Sequence, residues 1–290
     1  MCWERSWSPP AAEISAGVRL RRRARLDVRI TSSRSDGRVR ISGLTYASPK
    51  GGRVPALLFV PSGGGPYAGL IVRHGLPSSK EDVAFDAEEL ARLGAVVIAI
   101  DAPFARRGGD PIAFTRHDPE EQIRLIVDLR RAVDLLRARA DVDDDRIAYL
   151  GISYGAAMGG LLAGVEHRIA AFVLMSGDVG LVEHFSGPDR AALHAQPSAP
   201  KGLAGRPAPD RTAHVGQAGE CTPPLSLRAT GSHLVPARDA ARYQRAAPQP
   251  KEIRWYDSDH YLPSQAWCDA AHFLGRHVGI AGSREPERGY

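Results

Sequence analysis

The residues Gly151-Ile152-Ser153-Tyr154-Gly155 stand between an apolar run, Arg146-Ile147-Ala148-Tyr149-Leu150, and a small-residue segment from Ala156 to Ala163. A serine hydroxyl is a weak nucleophile, and it gains reach when a sharp strand-to-helix turn lifts its oxygen clear of a sheet. Such a turn brings neighbouring backbone close, so glycines two residues before and after Ser153 remove side chains that would collide. The helix that follows aims its first amides at the turn, which makes the Tyr154 N–H a donor for a developing oxyanion. This pattern predicts covalent acyl chemistry at Ser153.

Two further clusters supply what that chemistry lacks. His74-Gly75-Leu76 follows the apolar run Leu70-Ile71-Val72-Arg73, and the loop after such a strand is where a doubly wound sheet offers a second oxyanion donor. The Leu76 N–H is the candidate. A His-Gly pair at a strand end orients the loop more readily than it serves as a base, so His74 is assigned to the loop. Asp257-Ser258-Asp259-His260 comes after the last apolar strand-like run. Serine activation needs an imidazole within hydrogen-bond reach, and His260 falls late in the chain, in the order nucleophile, acid, histidine. The other histidines fall at helix edges, in loops or inside the closing helix, where no chemistry is required of them.

The elements that must position these groups follow from periodicity. Leu26–Ile30 and Val39–Leu44 alternate, with Ser-Arg-Ser-Asp-Gly between them, and predict an antiparallel hairpin. Pro55–Val60 predicts a further strand, and Pro61-Ser62-Gly63-Gly64-Gly65-Pro66 a tight inter-strand turn before Gly69–Arg73; it lacks the Gly-Lys-Ser/Thr ending of a phosphate loop. From there strands and helices alternate, which implies parallel strands joined by right-handed crossovers. Helices are expected at 82–93, 120–140 and 264–278, and strands at 95–100, 170–175, 225–229 and 251–256. On the long helix, Asp128/Arg131 and Asp134/Arg137 are spaced for pairing on a solvent face. Between 180 and 222 the pattern fails amid proline and glycine, which suggests a cap over the site.

Composition bounds the class. A chain of 290 residues, 43% hydrophobic, can build one large α/β domain. The formal charge of +5 is concentrated in the five arginines of Arg19–Arg25. Without interleaved aromatics these read as a solvated arm, residues 1–25, and not as a nucleic-acid surface. No apolar run has the length of a secretory core or a membrane span, so the expectation is a cytoplasmic chain with neither nucleic acid nor membrane as partner. The three cysteines are widely spaced and form no metal or disulfide pattern.

With these elements assembled, the chain resembles the α/β-hydrolases of the dienelactone-hydrolase-like group, which includes many small-ester carboxylesterases. The resemblance is carried by His74-Gly75, by Asp101-Ala102-Pro103-Phe104 after the next strand, by Gly151-Ile152-Ser153-Tyr154-Gly155 and by Asp259-His260. It runs from about Leu26 to Ile280, is weak between 188 and 222, and leaves 281–290 as a tail. It implies a mostly parallel twisted sheet with helices on both faces and an irregular cap segment. It also implies a serine hydrolase that cleaves a small carboxylic ester or lactone through an acyl-enzyme, without metal or organic cofactor.

One departure from the family pattern bears on the mechanism. The family's Gly-x-x-Asp-x-x-Val-Pro segment, whose aspartate orients the histidine, corresponds here to Ala229-Thr230-Gly231-Ser232-His233-Leu234-Val235-Pro236, so the acid position is Ser232. Three readings stay open: Asp178, in Ser176-Gly177-Asp178, supplies the acid; a dyad works with Ser232 or water; or activity is lost and the fold binds without catalysis. A peptidase of prolyl-oligopeptidase type shares the elbow and the late histidine, but the chain has no room for a propeller. The loop 101–109 should border the site, since ligands bind beyond the carboxyl ends of parallel strands. Phe104 is then a candidate substrate contact, and Arg106 with Arg107 either faces solvent or attracts a substrate carboxylate.

Overall fold

A computed structural model describes residues 25–108, 117–177, 224–229, 235, 237–247 and 250–281. Apart from Arg25 and Ala281, the expected arm, cap segment and tail fall outside them, as do Asp178 and Ser232. In chain order the described elements are β1 (Arg29–Ser35), β2 (Val39–Ala47), β3 (Arg53–Pro61), β4 (Tyr67–Arg73), α1 (Ala84–Arg92), β5 (Ala95–Ile100), α2 (Pro103–Arg107), α3 (His117–Arg137), β6 (Val142–Ile152), α4 (Tyr154–Ala163), β7 (Ala171–Met175), β8 (Pro224–Ala229), α5 (Ala237–Ala246), β9 (Glu252–Tyr256) and α6 (Ser264–Val278).

The described strands form one sheet in the order β1-β2-β3-β5-β4-β6-β7-β8-β9. Pairing is antiparallel from β1 to β5 and parallel from β5 to β9. Alternation along each strand divides the core between two faces. On β5, Val96, Ile98 and Ile100 pack with α3 and α4 residues such as Leu129 and Met158. Ala95, Val97 and Ala99 face the other way, with Leu90 of α1 and Phe273 of α6. A strand buried on both faces reads as a continuous apolar run, which is why Ala95–Ile100 shows no polar alternation.

Two local expectations are overturned. Pro61–Pro66 does not join neighbouring strands, because β5 lies between β3 and β4 and pairs with both. Period-2 alternation identifies a strand but not its partner, so a short link looked like a tight turn between neighbours. Asp128 and Arg131 do not face solvent either: they are 0% and 2% exposed. The Asp128 carboxylate pairs with Arg106 from α2, and its backbone carbonyl accepts the Tyr46 hydroxyl at 2.8 Å. Burial pushes the Asp128 carboxyl up, against the downward pull of Arg106. Because α2 and β2 cover this side of α3, Asp128 reaches across to Arg106 and Arg131 pairs with Asp134 instead.

Chain direction places the site. From β4 the chain moves outward to β5 and then returns to place β6 on the other side of β4. The crossovers diverge between β4 and β6, and the crevice at such a switch point, beyond the strands' carboxyl ends, is where ligands bind in open α/β sheets. Arg73 lies opposite Gly151 across this pair, so His74-Gly75 and Ser153 leave the sheet at the same level. Ile152 lies opposite Met175 on β7, and Ala229 opposite Tyr256 on β9, which brings the chain toward His260 on the same edge.

Candidate active site

Ser153 sits between β6 and α4 with φ 53° and ψ −114°, a conformation that L-residues rarely adopt. Its surroundings over-determine it. The Ser153 N–H donates to the Met175 carbonyl at 2.7 Å, and its own carbonyl accepts the Ala157 N–H at 3.0 Å. The flanking glycines are required by contact: a Cβ on Gly155 would lie 2.5 Å from the Arg73 carbonyl oxygen, and one on Gly151 would lie 2.5 Å from the backbone of Gly155. The Tyr149 hydroxyl donates to the Gly155 carbonyl at 2.6 Å, tying the first turn of α4 to the sheet beneath. Tyr154 is the first residue of α4, whose N-terminal turn follows directly from Ser153.

The His260 imidazole is brought to this serine, with Nε2 and Ser153 Oγ 2.9 Å apart. Two contacts fix the backbone that carries it: the His260 N–H donates to Asp259 Oδ1 at 2.6 Å, and the His260 carbonyl accepts the Ser176 hydroxyl at 3.0 Å. Ser176 is buried, has φ 51°, and donates its N–H to the Leu227 carbonyl at 2.9 Å. Sequence reasoning missed its part in holding the histidine loop. A positive φ at a serine directly after a buried strand leaves no mark in composition.

His74 is fully buried and lies 2.8 Å through Nδ1 from the Gly75 carbonyl, while the Ala102 N–H approaches Nε2 at 3.4 Å. With Nδ1 as the donor and Nε2 as the acceptor, the neutral ring links the loop after β4 to the loop after β5. Burial, assisted by the adjacent Arg73 cation, pushes its pKa down to about 2. Asp101 fastens the same loop by accepting the Lys80 N–H at 2.9 Å and the Lys80 ammonium at 2.8 Å. Gly75 is in turn packed against Ser153, since a Cβ there would lie 3.1 Å from Ser153 Cβ. Leu76 is thereby held beside Ser153 and lines the cavity with it.

The depressed His74 pKa carries a stability prediction. The unfolded chain takes up a proton below about pH 6.5 that the folded chain refuses until about pH 2. Stability from the neutral ring is complete above about 6.5 and is lost as the pH falls through that window. The melting temperature should decline between pH 7 and pH 5, less steeply in His74→Asn than in the parent. Equal slopes in thermal melts would contradict the assignment.

Phe104 and Arg106 do not line the cavity that Ser153 and His260 reach. Phe104 is buried edge-on against His74 at 5.6 Å and Tyr154 at 5.8 Å. The guanidinium of Arg73 stands 5.9 Å from its ring centroid and 5.7 Å from that of Tyr154, so the aromatic faces help to accommodate a buried cation. Burial brings the Arg73 pKa down to about 10, which leaves it charged at neutral pH. Arg106 is committed to Asp128, and Arg107 pairs with Glu121 at 2.7 Å.

The cavity itself has a volume of about 300 Å³. Ser153 and His260 reach it together with Leu76, Met175, Leu262 and Trp267. A serine hydroxyl, an adjacent imidazole and a mostly apolar wall form a site suited to acyl transfer from a small substrate.

The profile of the alpha/beta hydrolase fold family matches residues 70–276. Two uncharacterized proteins of Mycobacterium tuberculosis, from strains CDC 1551 / Oshkosh and ATCC 25618 / H37Rv, are each 32% identical over 206 residues, 69% of this chain. The match spans 65% of the length of those relatives. Among solved structures, the chain is similar to an acetyl xylan esterase from Paenibacillus sp. R4 (TM-score 0.71, 19% identity, 92% of each chain covered). It is similar also to acetyl xylan esterase 1 from Thermoanaerobacterium sp. JW/SL YS485 (TM-score 0.69, 16% identity, 91% of this chain and 90% of that one). A third similar structure is a dienelactone-hydrolase-like protein from Klebsiella pneumoniae subsp. pneumoniae MGH 78578 (TM-score 0.58, 19% identity, 83% and 98% covered). The profile match takes in the end of β4, strands β5 to β9 and both Ser153 and His260, and the chain belongs to the alpha/beta hydrolase fold family.

Proposed function

We propose that this protein is a serine hydrolase that cleaves small carboxylic esters or lactones through an acyl-enzyme. The observation that carries the reading is the 2.9 Å contact between His260 Nε2 and Ser153 Oγ on a strained strand-to-helix turn. His260 removes the Ser153 proton as the oxygen attacks the ester carbonyl, and the Leu76 and Tyr154 amides hold the oxyanion. The C–O bond to the alcohol breaks as His260 returns the proton to the leaving oxygen. Water, deprotonated by His260, then attacks the acyl-enzyme and regenerates Ser153. The esterases among the similar structures are consistent with a small ester as substrate. No metal enters these steps, and no helix among the described residues is long and apolar enough to cross a membrane.

A cavity of about 300 Å³ favours short acyl chains. Assayed on p-nitrophenyl esters, the protein should hydrolyse the acetate, and kcat/KM should fall at least about tenfold as the acyl chain grows from two carbons to eight and outgrows the cavity. Absence of turnover on every chain length would contradict the reading and favour a fold that binds without catalysis.

A further inference from the structure

Asp86 lines the same cavity from the first turn of α1. It is half-buried and makes no hydrogen bond or ion pair with any described residue. The neighbouring acid, Asp82, is already engaged, accepting the Ser79 N–H at 2.7 Å and the Ser79 hydroxyl at 2.9 Å. Among the described residues that line the cavity there is no lysine or arginine, whereas Trp267 and Tyr261 contribute aromatic rings. A carboxylate kept from water without a partner costs free energy that an incoming cation relieves, and aromatic faces attract cations as well.

We propose that Asp86 selects esters bearing a cationic group, held in the cavity by its carboxylate together with the rings of Trp267 and Tyr261. This rests on the serine-hydrolase reading and extends it to a substrate class. Burial raises the Asp86 pKa to about 6, so at pH 8 the group is ionised and still in want of a counter-charge. The alternative in which Arg106 draws in an anionic substrate points the other way, but Arg106 is committed to Asp128 and does not reach the cavity. Asp86 is also placed where the helix dipole favours a carboxylate. That role alone would act equally on charged and neutral substrates.

The test compares acetylcholine with 3,3-dimethylbutyl acetate, which has the same shape with carbon in place of the quaternary nitrogen. At pH 8 the ratio of kcat/KM for the charged ester to that for the neutral one should fall about tenfold in Asp86→Asn, the scale of one partly screened charge contact. The value for the neutral ester should change less than about twofold, because Asn keeps the shape of the side chain. Asp86→Glu, which keeps the charge, should retain most of the preference. An equal ratio in the parent and Asp86→Asn, with the neutral ester still cleaved, would overturn the role of Asp86 and leave the hydrolase reading intact. Failure of the parent to cleave either ester would overturn both.

Discussion

Ser153→Ala should lower kcat/KM for p-nitrophenyl acetate by on the order of 10⁶, to the rate of a blank preparation, because nucleophile and base act as one unit. The substitution removes one oxygen from a position already fixed by the backbone. Ser153 is held by the Met175 carbonyl and by its place at the head of α4, and neither contact involves the side chain. The variant should therefore melt at or slightly above the parent temperature, since smoothing a strained functional site commonly adds stability. Loss of turnover without loss of fold separates chemistry from structure. Turnover equal to the parent's would show that another group is the nucleophile.

The second large effect concerns the acid that orients His260. Asp178 lies outside the described residues, but the chain entering it is well placed for the role. Two residues earlier, Ser176 donates its hydroxyl to the His260 carbonyl, and the Met175 carbonyl accepts the Ser153 N–H. The strand end that leads to Asp178 thus touches both Ser153 and His260. If Asp178 is the acid, Asp178→Asn should lower kcat by about 10⁴, the scale of presenting the wrong histidine tautomer in a serine triad. Ser232→Asp should then change kcat less than about threefold. A tenfold or greater gain in Ser232→Asp, with Asp178→Asn harmless, would assign the acid position to residue 232 and the parent enzyme to a dyad.

Much of this geometry was legible in the sequence because it is local. The strand-turn-helix around Ser153 and the late His260 are written in contiguous residues, and strands buried on both faces announce themselves as apolar runs such as Ala95–Ile100. Features that depend on which elements become neighbours were not legible. The insertion of β5 between β3 and β4 is a pairing choice on which alternation is silent. Arg106 looked like a substrate contact because its loop follows a strand's carboxyl end. The five-residue helix Pro103–Arg107 instead directs it toward a buried aspartate on α3. Nothing in the sequence sets Asp86 apart from the other acids of its helix, and only the cavity beside it gives it a use.

Whether His260 activates Ser153 for covalent attack is read by intact-mass measurement after incubation with a fluorophosphonate, since such reagents trap an activated serine whatever ester the site prefers. The parent protein should gain the mass of one phosphonyl group, localised to the peptide containing Ser153, and both Ser153→Ala and His260→Gln should remain at their unmodified masses. No adduct on the parent, or an adduct that survives Ser153→Ala, would contradict the claim.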